Sequence, residues 1–337
     1  MEIKNFVRGI LPKSVWKVIR LLNKQYRDDR IRDFKGKKRK AMRGFKNSDK
    51  TYYLIRRVSP VEGHYSIMLS MLGYLKEAEE QNMIPVVDMK HYYNIIWQHE
   101  DRKGKDNAWE YFFEQPAHVS LEDIKGCRHI LMSDGYNASY VPSNKETCFH
   151  RDEIAMWNRI YHQYIRFNPE TAARVKSLEE ELRVSQRRIL GVSIRREMNY
   201  HRYKKSAEFS GYAIPPELRQ VIDDVWKFLK EWNCDYVFAV TDDDEFTHVL
   251  QEEFGELLLL CNRQRFIIFK DGQPAEEQQW YYDESGDIEK QKKRHGMDYI
   301  AEITVLSKCT SLICSRNSGN TAAIIINGNQ YEHLKVY

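Results

Sequence analysis

The chain has 337 residues, 42% hydrophobic and 30% charged, a balance that fits a folded globular protein and excludes a disordered or fibrous one. Its formal net charge of +4 is unevenly placed, because residues 1–50 carry +12 and the remainder −8. Nucleic-acid binding across the body is disfavoured, since only the leader is basic.

The length accommodates two domains of ordinary size. Cys127, Cys148, Cys234, Cys261, Cys309 and Cys314 form no CxxC pair and have mostly apolar neighbours. They read as small buried hydrophobes of a reducing compartment, and their spacing does not suit zinc. No signal-peptide pattern is visible, and no stretch approaches the ~20 apolar residues of a membrane span. The body is therefore expected on the cytoplasmic side.

Residues 1–50 read as a basic helical leader. Phe6, Ile10, Val15, Ile19 and Leu22 fall near helical spacing, with Arg8, Lys13, Lys17, Arg20 and Lys24 around them and Pro12 dividing the stretch. Such a helix either lies peripherally on an anionic membrane or docks on the body.

The body opens with an expected strand at 51–58, a turn ending at Gly63, a helix at 64–80 and a short buried strand in "IPVVDM". Residues 91–115 read as helix and loop, followed by a strand at 129–133 and helices at 150–166 and 169–184. The second half begins with a strand at 190–194 and an amphipathic helix at 215–232. "DYVFAVTDDDEF" is a strand entering a turn, and 245–254 a helix. "ELLLL" is a strand, "HGMDYIAEITVLSKC" a helix, 311–315 a strand and 321–326 a helix. Alternation of this kind predicts an α/β protein with two lobes, 51–185 and 186–337, whose parallel sheets face a cleft. Ligands of such sheets sit beyond the carboxyl ends of the strands.

Polar clusters collect at those ends. Arg195, Arg196 and Glu197 follow the strand at 190–194, where a guanidinium fork suits a departing diphosphate. Asp242 and Asp243 follow "VFAVT"; one of the aspartates there is expected to cap the next helix, while the others suit a sugar or the arginines. Asn317, Ser318 and Gly319 join a strand to a helix whose free N–H groups attract phosphate, or are an ordinary helix cap. Glu302 lies among apolar neighbours, either solvated or kept to accept the N1–H and N2–H₂ edge of guanine. Gly63 and His64 open the first helix, where His64 either enters the cleft or caps the helix.

These clusters, in this order, resemble the GT-B fucosyltransferase superfamily, which includes α1,6-fucosyltransferases, nodulation fucosyltransferases and protein O-fucosyltransferases. The resemblance spans about residues 51–330 and is strongest from 188 to 322. "GVSIRRE" looks like that family's arginine-rich strand end, "VFAVTDDDEF" like its "ATDD" motif, and "IAEITVLSKCTSLICSRNSG" like its helix and serine-containing loop. "NAWEYFFEQP", "IPVVDM" and "LSKC…SRNSG" are similar to a bacterial branch in polysaccharide loci. The resemblance implies a GT-B-like fold with two Rossmann-like lobes, the N-terminal one facing the acceptor and the C-terminal one holding the donor. It implies inverting transfer from GDP-fucose without metal or cofactor, to a glycan or lipid-linked saccharide. Arg195 would hold the β-phosphate, Arg196 would support it, and Asp242 and Asp243 would sit near the sugar. Glu302 takes the place of a guanine-reading Asp. Asn317 and Ser318 match a phosphate-contacting serine pair, and Gly63 matches a loop glycine. Ser193 stands where the family often has a base-contacting His. Glu197 and Glu208 are candidate bases. The competing readings are a transferase for another nucleotide sugar and a non-catalytic nucleotide-sugar-binding protein.

Overall fold

The computed structural model describes residues 39–41, 44–56, 63–91, 105–133, 142, 151–194, 217–241, 244–263 and 287–337. The leader helix, Arg195, Arg196, Glu197, Glu208, Asp242 and Asp243 lie outside the described residues.

The described part is an α/β protein with two sheets. The first is built from β1 (Arg39–Ala41), β2 (Lys46–Arg56), β3 (Ile84–Asp88) and β4 (Cys127–Met132), in the order β1-β4-β2-β3. β2 pairs in parallel with both β3 and β4, while β1 lies antiparallel along β4. Among the described residues, strand pairing thus starts at Arg39, within the segment expected as a leader. β2 explains why the sequence signal starts later. Its first residues, Lys46–Lys50, are exposed and carry no apolar pattern, and its register shifts between Lys46 and Thr51. From Tyr52 onward every residue is buried. Tyr53, Ile55 and Val87 face one side, and Tyr52, Leu54, Val86, Ile130 and Met132 the other, as the two-residue period of a strand requires.

The second sheet contains β5 (Ile189–Ser193), β6 (Tyr236–Ala239), β7 (Leu258–Leu259), β8 (Ser311–Cys314) and β9 (His333–Val336), in the order β7-β6-β5-β8-β9. All four pairings are parallel. Both faces are covered, so its strands read as continuous apolar runs. Leu190, Val192, Val237, Ala239 and Ile313 pack under α4 (Leu218–Glu231) and α5 (Asp244–Phe254). Ile189, Phe238, Leu312 and Cys314 pack under α6 (Ile288–Leu306) and α7 (Ser318–Asn327). Winding the chain outward from β5 in both directions leaves a topological switch point between β5 and β8.

Among the described residues, three helices precede the second sheet: α1 (His64–Glu80), α2 (Arg151–Tyr164) and α3 (Pro169–Leu182). α3 is capped as its sequence indicates. Asn168 accepts from the backbone of Thr171 at 2.8 Å, Pro169 occupies the first turn, and Arg183 closes the helix in a left-handed conformation with φ of 51°. α1 and α2 pack against α7, and α3 packs against α6. A single hydrophobic cluster therefore runs from Tyr53 and Leu72 in the first half to Ile303 and Leu312 in the second. The cysteines Cys127, Cys234, Cys261, Cys309 and Cys314 are free and buried, as their apolar surroundings suggest.

The contact between α1 and α6 is tight. A Cβ on Gly296 would come within 2.5 Å of His64 Nε2 and 2.8 Å of Phe112 Cζ. Gly296→Ala is expected to cost about 1–3 kcal/mol of stability through overpacking, read as a lower midpoint in urea unfolding.

Candidate functional site

The carboxyl ends of β5 and β8 are locked together. Ser315 N donates to Ser193 O at 3.1 Å. Asn320, 1% exposed, donates from Nδ2 to Ser193 O and to Ser315 O, each at 2.8 Å. One amide side chain thus fixes the direction in which the chain leaves both strands at the switch point. Asn320 is itself placed by the cap of α7. The Asn317 side chain accepts from Asn320 N at 2.9 Å, and Thr321 Oγ1 donates to Asn317 O at 2.9 Å. Asn317 is accordingly the N-cap, and Ser318 begins the helix.

Gly319 has a packing reason. A Cβ there would collide with the Tyr299 hydroxyl and lie 3.3 Å from Ile303 Cδ1. The glycine lets α7 approach α6 closely, which brings the first turn of α7 to the strand ends. The N–H groups of that turn and the dipole of the helix favour an anion there.

Glu302 is completely buried, and its carboxylate is not open to solvent. Its Oε2 lies 2.9 Å from Arg263 Nη2, with the two side chains 0% and 1% exposed. Arg263 follows β7 and reaches back across the strand ends. Its Nη2 donates to Thr241 O at 3.0 Å, and its Nη1 meets His295 Nε2 at 3.2 Å. The nitrogen of His295 acts as acceptor in this contact, because a guanidinium only donates. Beside this pair lies a second one, Arg174 Nε to Asp298 Oδ1 at 2.6 Å, and Arg174 Nη2 also lies 3.0 Å from Cys261 Sγ. Burial, with Glu302 nearby, pushes the Cys261 thiol up to about 12, so it stays protonated at neutral pH. His295, Asp298 and Glu302 share one face of α6.

The first lobe reaches the same helix. Gly63 is exposed with open space where a Cβ would stand, and it caps α1 without a side chain. His64 is half-buried, edge-on to Phe112 with ring centroids 5.3 Å apart and in contact with Gly296. Tyr65 donates to Ile300 O at 3.3 Å and meets the Tyr299 ring at 5.3 Å.

The structure thus gathers Ser193, Asn317, Ser318 and Gly319 at one switch point. Glu302 stands on the adjoining helix, and Gly63 and His64 stand where α1 meets that helix. Arg263, His295 and Asn320 were not singled out from sequence. Arg263 follows an apolar run, as Arg195 does, but that run is longer than the strand it contains and hides where the strand ends. Among the described residues no group of three His, Cys, Asp or Glu side chains is arranged to hold a metal ion, and no helix is long and apolar enough to cross a membrane. A polar cavity of about 460 Å³ lined by Arg183, Arg187, Asp235 and Tyr236 lies at the amino end of β5 and β6, opposite the strand ends where ligands of parallel sheets collect.

No protein-family model and no curated protein matches the chain. Among solved structures it is similar to NodZ α-1,6-fucosyltransferase soaked with GDP-fucose, at 15% identity and a TM-score of 0.47, covering 82% of this chain and 93% of that one. It is similar to a mutant of Arabidopsis thaliana FUT1 in complex with GDP, at 12% identity and a TM-score of 0.46, covering 82% and 68%. It is also similar to POFUT1 in complex with GDP, at 8% identity and a TM-score of 0.46, covering 84% and 98%.

Breaking the buried pair leaves a charge alone in the interior. Arg263→Met is expected to cost about 3–5 kcal/mol, and Arg263→Met with Glu302→Leu much less, both measured by urea unfolding.

Proposed function

We propose that the chain is a glycosyltransferase that transfers fucose from GDP-fucose to a glycan or lipid-linked saccharide, with inversion and without a metal. The observation that carries this reading is the switch point between β5 and β8. There the capped first turn of α7 and the end of β5 stand together, two residues before Arg195. A diphosphate at that point meets the first turn of a helix, whose dipole favours an anion. The Arg195 and Arg196 segment follows directly from the locked strand end. The motif resemblance over 188–322 falls on the same elements.

The chemistry follows from those parts. As the glycosidic carbon becomes cationic, negative charge grows on the departing β-phosphate. Arg195 and the N–H groups at Ser318 and Gly319 are the groups assigned to stabilise it, with Arg196 in support. Asp242 and Asp243 are assigned to the donor sugar and the arginines. Ser193 and Gly63 line the approach of the nucleotide. For the base, the pair Arg263–Glu302 supports guanine. A carboxylate matches N1–H and N2–H₂, and a guanidinium matches O6 and N7. The basic leader is assigned to peripheral contact with an anionic membrane, which would place a lipid-linked acceptor at hand.

GDP is expected to raise the melting temperature of the chain, and UDP and ADP at the same concentration to leave it unchanged. Equal shifts from all three would remove guanine recognition. Arg195→Ala is expected to lower GDP-fucose hydrolysis at least ~100-fold with folding intact, since one lost electrostatic donor to an oxyanion has that effect. Near-normal turnover in a folded variant would take Arg195 out of the mechanism.

A further inference from the structure

The carboxyl end of the first sheet carries a pair of side chains that the donor site does not use. β3 ends at Asp88, and the chain turns so that His91 lies over it. Asp88 Oδ1 accepts from the backbone of Lys90 at 3.0 Å and of His91 at 3.2 Å. His91 Nδ1 lies 2.9 Å from Asp88 Oδ1 and 3.0 Å from Oδ2. A carboxylate only accepts, so the proton of this contact belongs to Nδ1, and a neutral ring carries its lone pair on Nε2. The Asp88 side chain is 5% exposed and that of His91 27%. The ring is anchored through Nδ1, and the side chain stays partly exposed.

The turn is held as well as closed. Met89 N donates to Asn107 Oδ1 at 3.0 Å, and Asn107 Nδ2 donates to Val87 O at 2.9 Å. From Asn107 the chain runs through the short 3-10 helix Ala108–Tyr111 to Phe112, whose ring touches His64 at the start of α1 and Gly296 of α6. The Asp88–His91 pair thus stands at the carboxyl end of β3, the strand at one edge of the first sheet.

We infer that His91 is the general base that takes the proton from the acceptor hydroxyl, with Asp88 as its positioning residue. This rests on the donor reading above. In the step, His91 Nε2 takes the hydroxyl proton, and an electron pair of that oxygen forms the bond to the glycosidic carbon. The bond from this carbon to the β-phosphate oxygen breaks, and its pair leaves with GDP. The imidazolium, stabilised by Asp88 at Nδ1, returns its proton to solvent.

The test uses the full chain with GDP-fucose and water in place of the acceptor. His91→Ala is expected to lower kcat at least ~100-fold with KM unchanged, and added imidazole to restore part of the rate. His91→Gln, which keeps the size of the side chain, is expected to lose the same rate while melting as the parent does. Asp88→Asn is expected to lower kcat less and to leave KM alone. An unchanged kcat in both His91 variants overturns the assignment. So does a loss that imidazole does not relieve and that KM follows, because that pattern marks a purely structural turn. A parent chain that neither hydrolyses GDP-fucose nor is stabilised by GDP sinks the donor reading, and the base falls with it. GDP stabilisation together with undiminished His91→Ala turnover sinks the base alone.

Discussion

The close seating of α6 is the constraint on which the rest of the structure depends. This helix meets α1 through Gly296, α7 through Gly319 and Tyr299, and α3 through Arg174 and Asp298. At its end Leu306 packs into the core beneath the second sheet. Elements from both halves of the chain are placed by their distance to this one cylinder. Glycine is needed at two of the contacts because interiors are close-packed, and one methyl group has no space to occupy. The two sheets consequently share a core.

The covering of the second sheet on both faces bears on where the polar residues lie. Parallel strands covered by helices on both faces offer only their ends to ligands, and the winding order selects β5 and β8 among the ends. Asn320 answers a separate problem at the same place. Two carbonyls at adjoining strand ends, Ser193 O and Ser315 O, are buried and need donors. One amide supplies both. The side chain that satisfies the backbone also fixes the chain two residues before Arg195.

Much of this was legible in the sequence. β2, β5, β6, β8, α1, α4, α6 and α7 were each visible as an apolar run or a helical period, because burial on one or two faces writes a period into the chain. β1 and β9 were not. β1 is three residues long, reads "RKA" and exists only by pairing with the edge of β4. β9 reads "HLKV" and is partly exposed at the opposite edge. Edge strands of this kind are made by tertiary contact and not by local pattern. Of the residues chosen from sequence, Asn317, Ser318 and Gly319 lie at the strand ends as strand-end logic placed them, and Ser193, chosen by resemblance, ends β5. Glu302 was noticed for its apolar neighbours, but its partner Arg263 was hidden. In "ELLLLCNR" the apolar run is longer than the two residues that pair as β7, so the strand end could not be placed. The Asp88–His91 pair was missed for a related reason. "VVDMKH" shows a strand and three polar residues, while the meeting of Asp88 and His91 depends on the turn that the backbone of Met89 makes under Asn107.

The charges on α6 are best understood as register marks. An apolar face packed against apolar helices has many nearly equivalent positions, since dispersion and burial are not directional. His295, Asp298 and Glu302 remove that freedom, because Arg263 and Arg174 are held by other elements and can pair with them in only one setting. A shift of one residue would leave two carboxylates buried without cations and would move Gly296 away from His64 and Phe112. Buried ion pairs contribute little net stability over apolar packing, but their loss is costly, and that asymmetry is what selects one arrangement over its neighbours. A helix so fixed can hold groups from two sheets at constant distances, which the proposed transfer between two substrates would require.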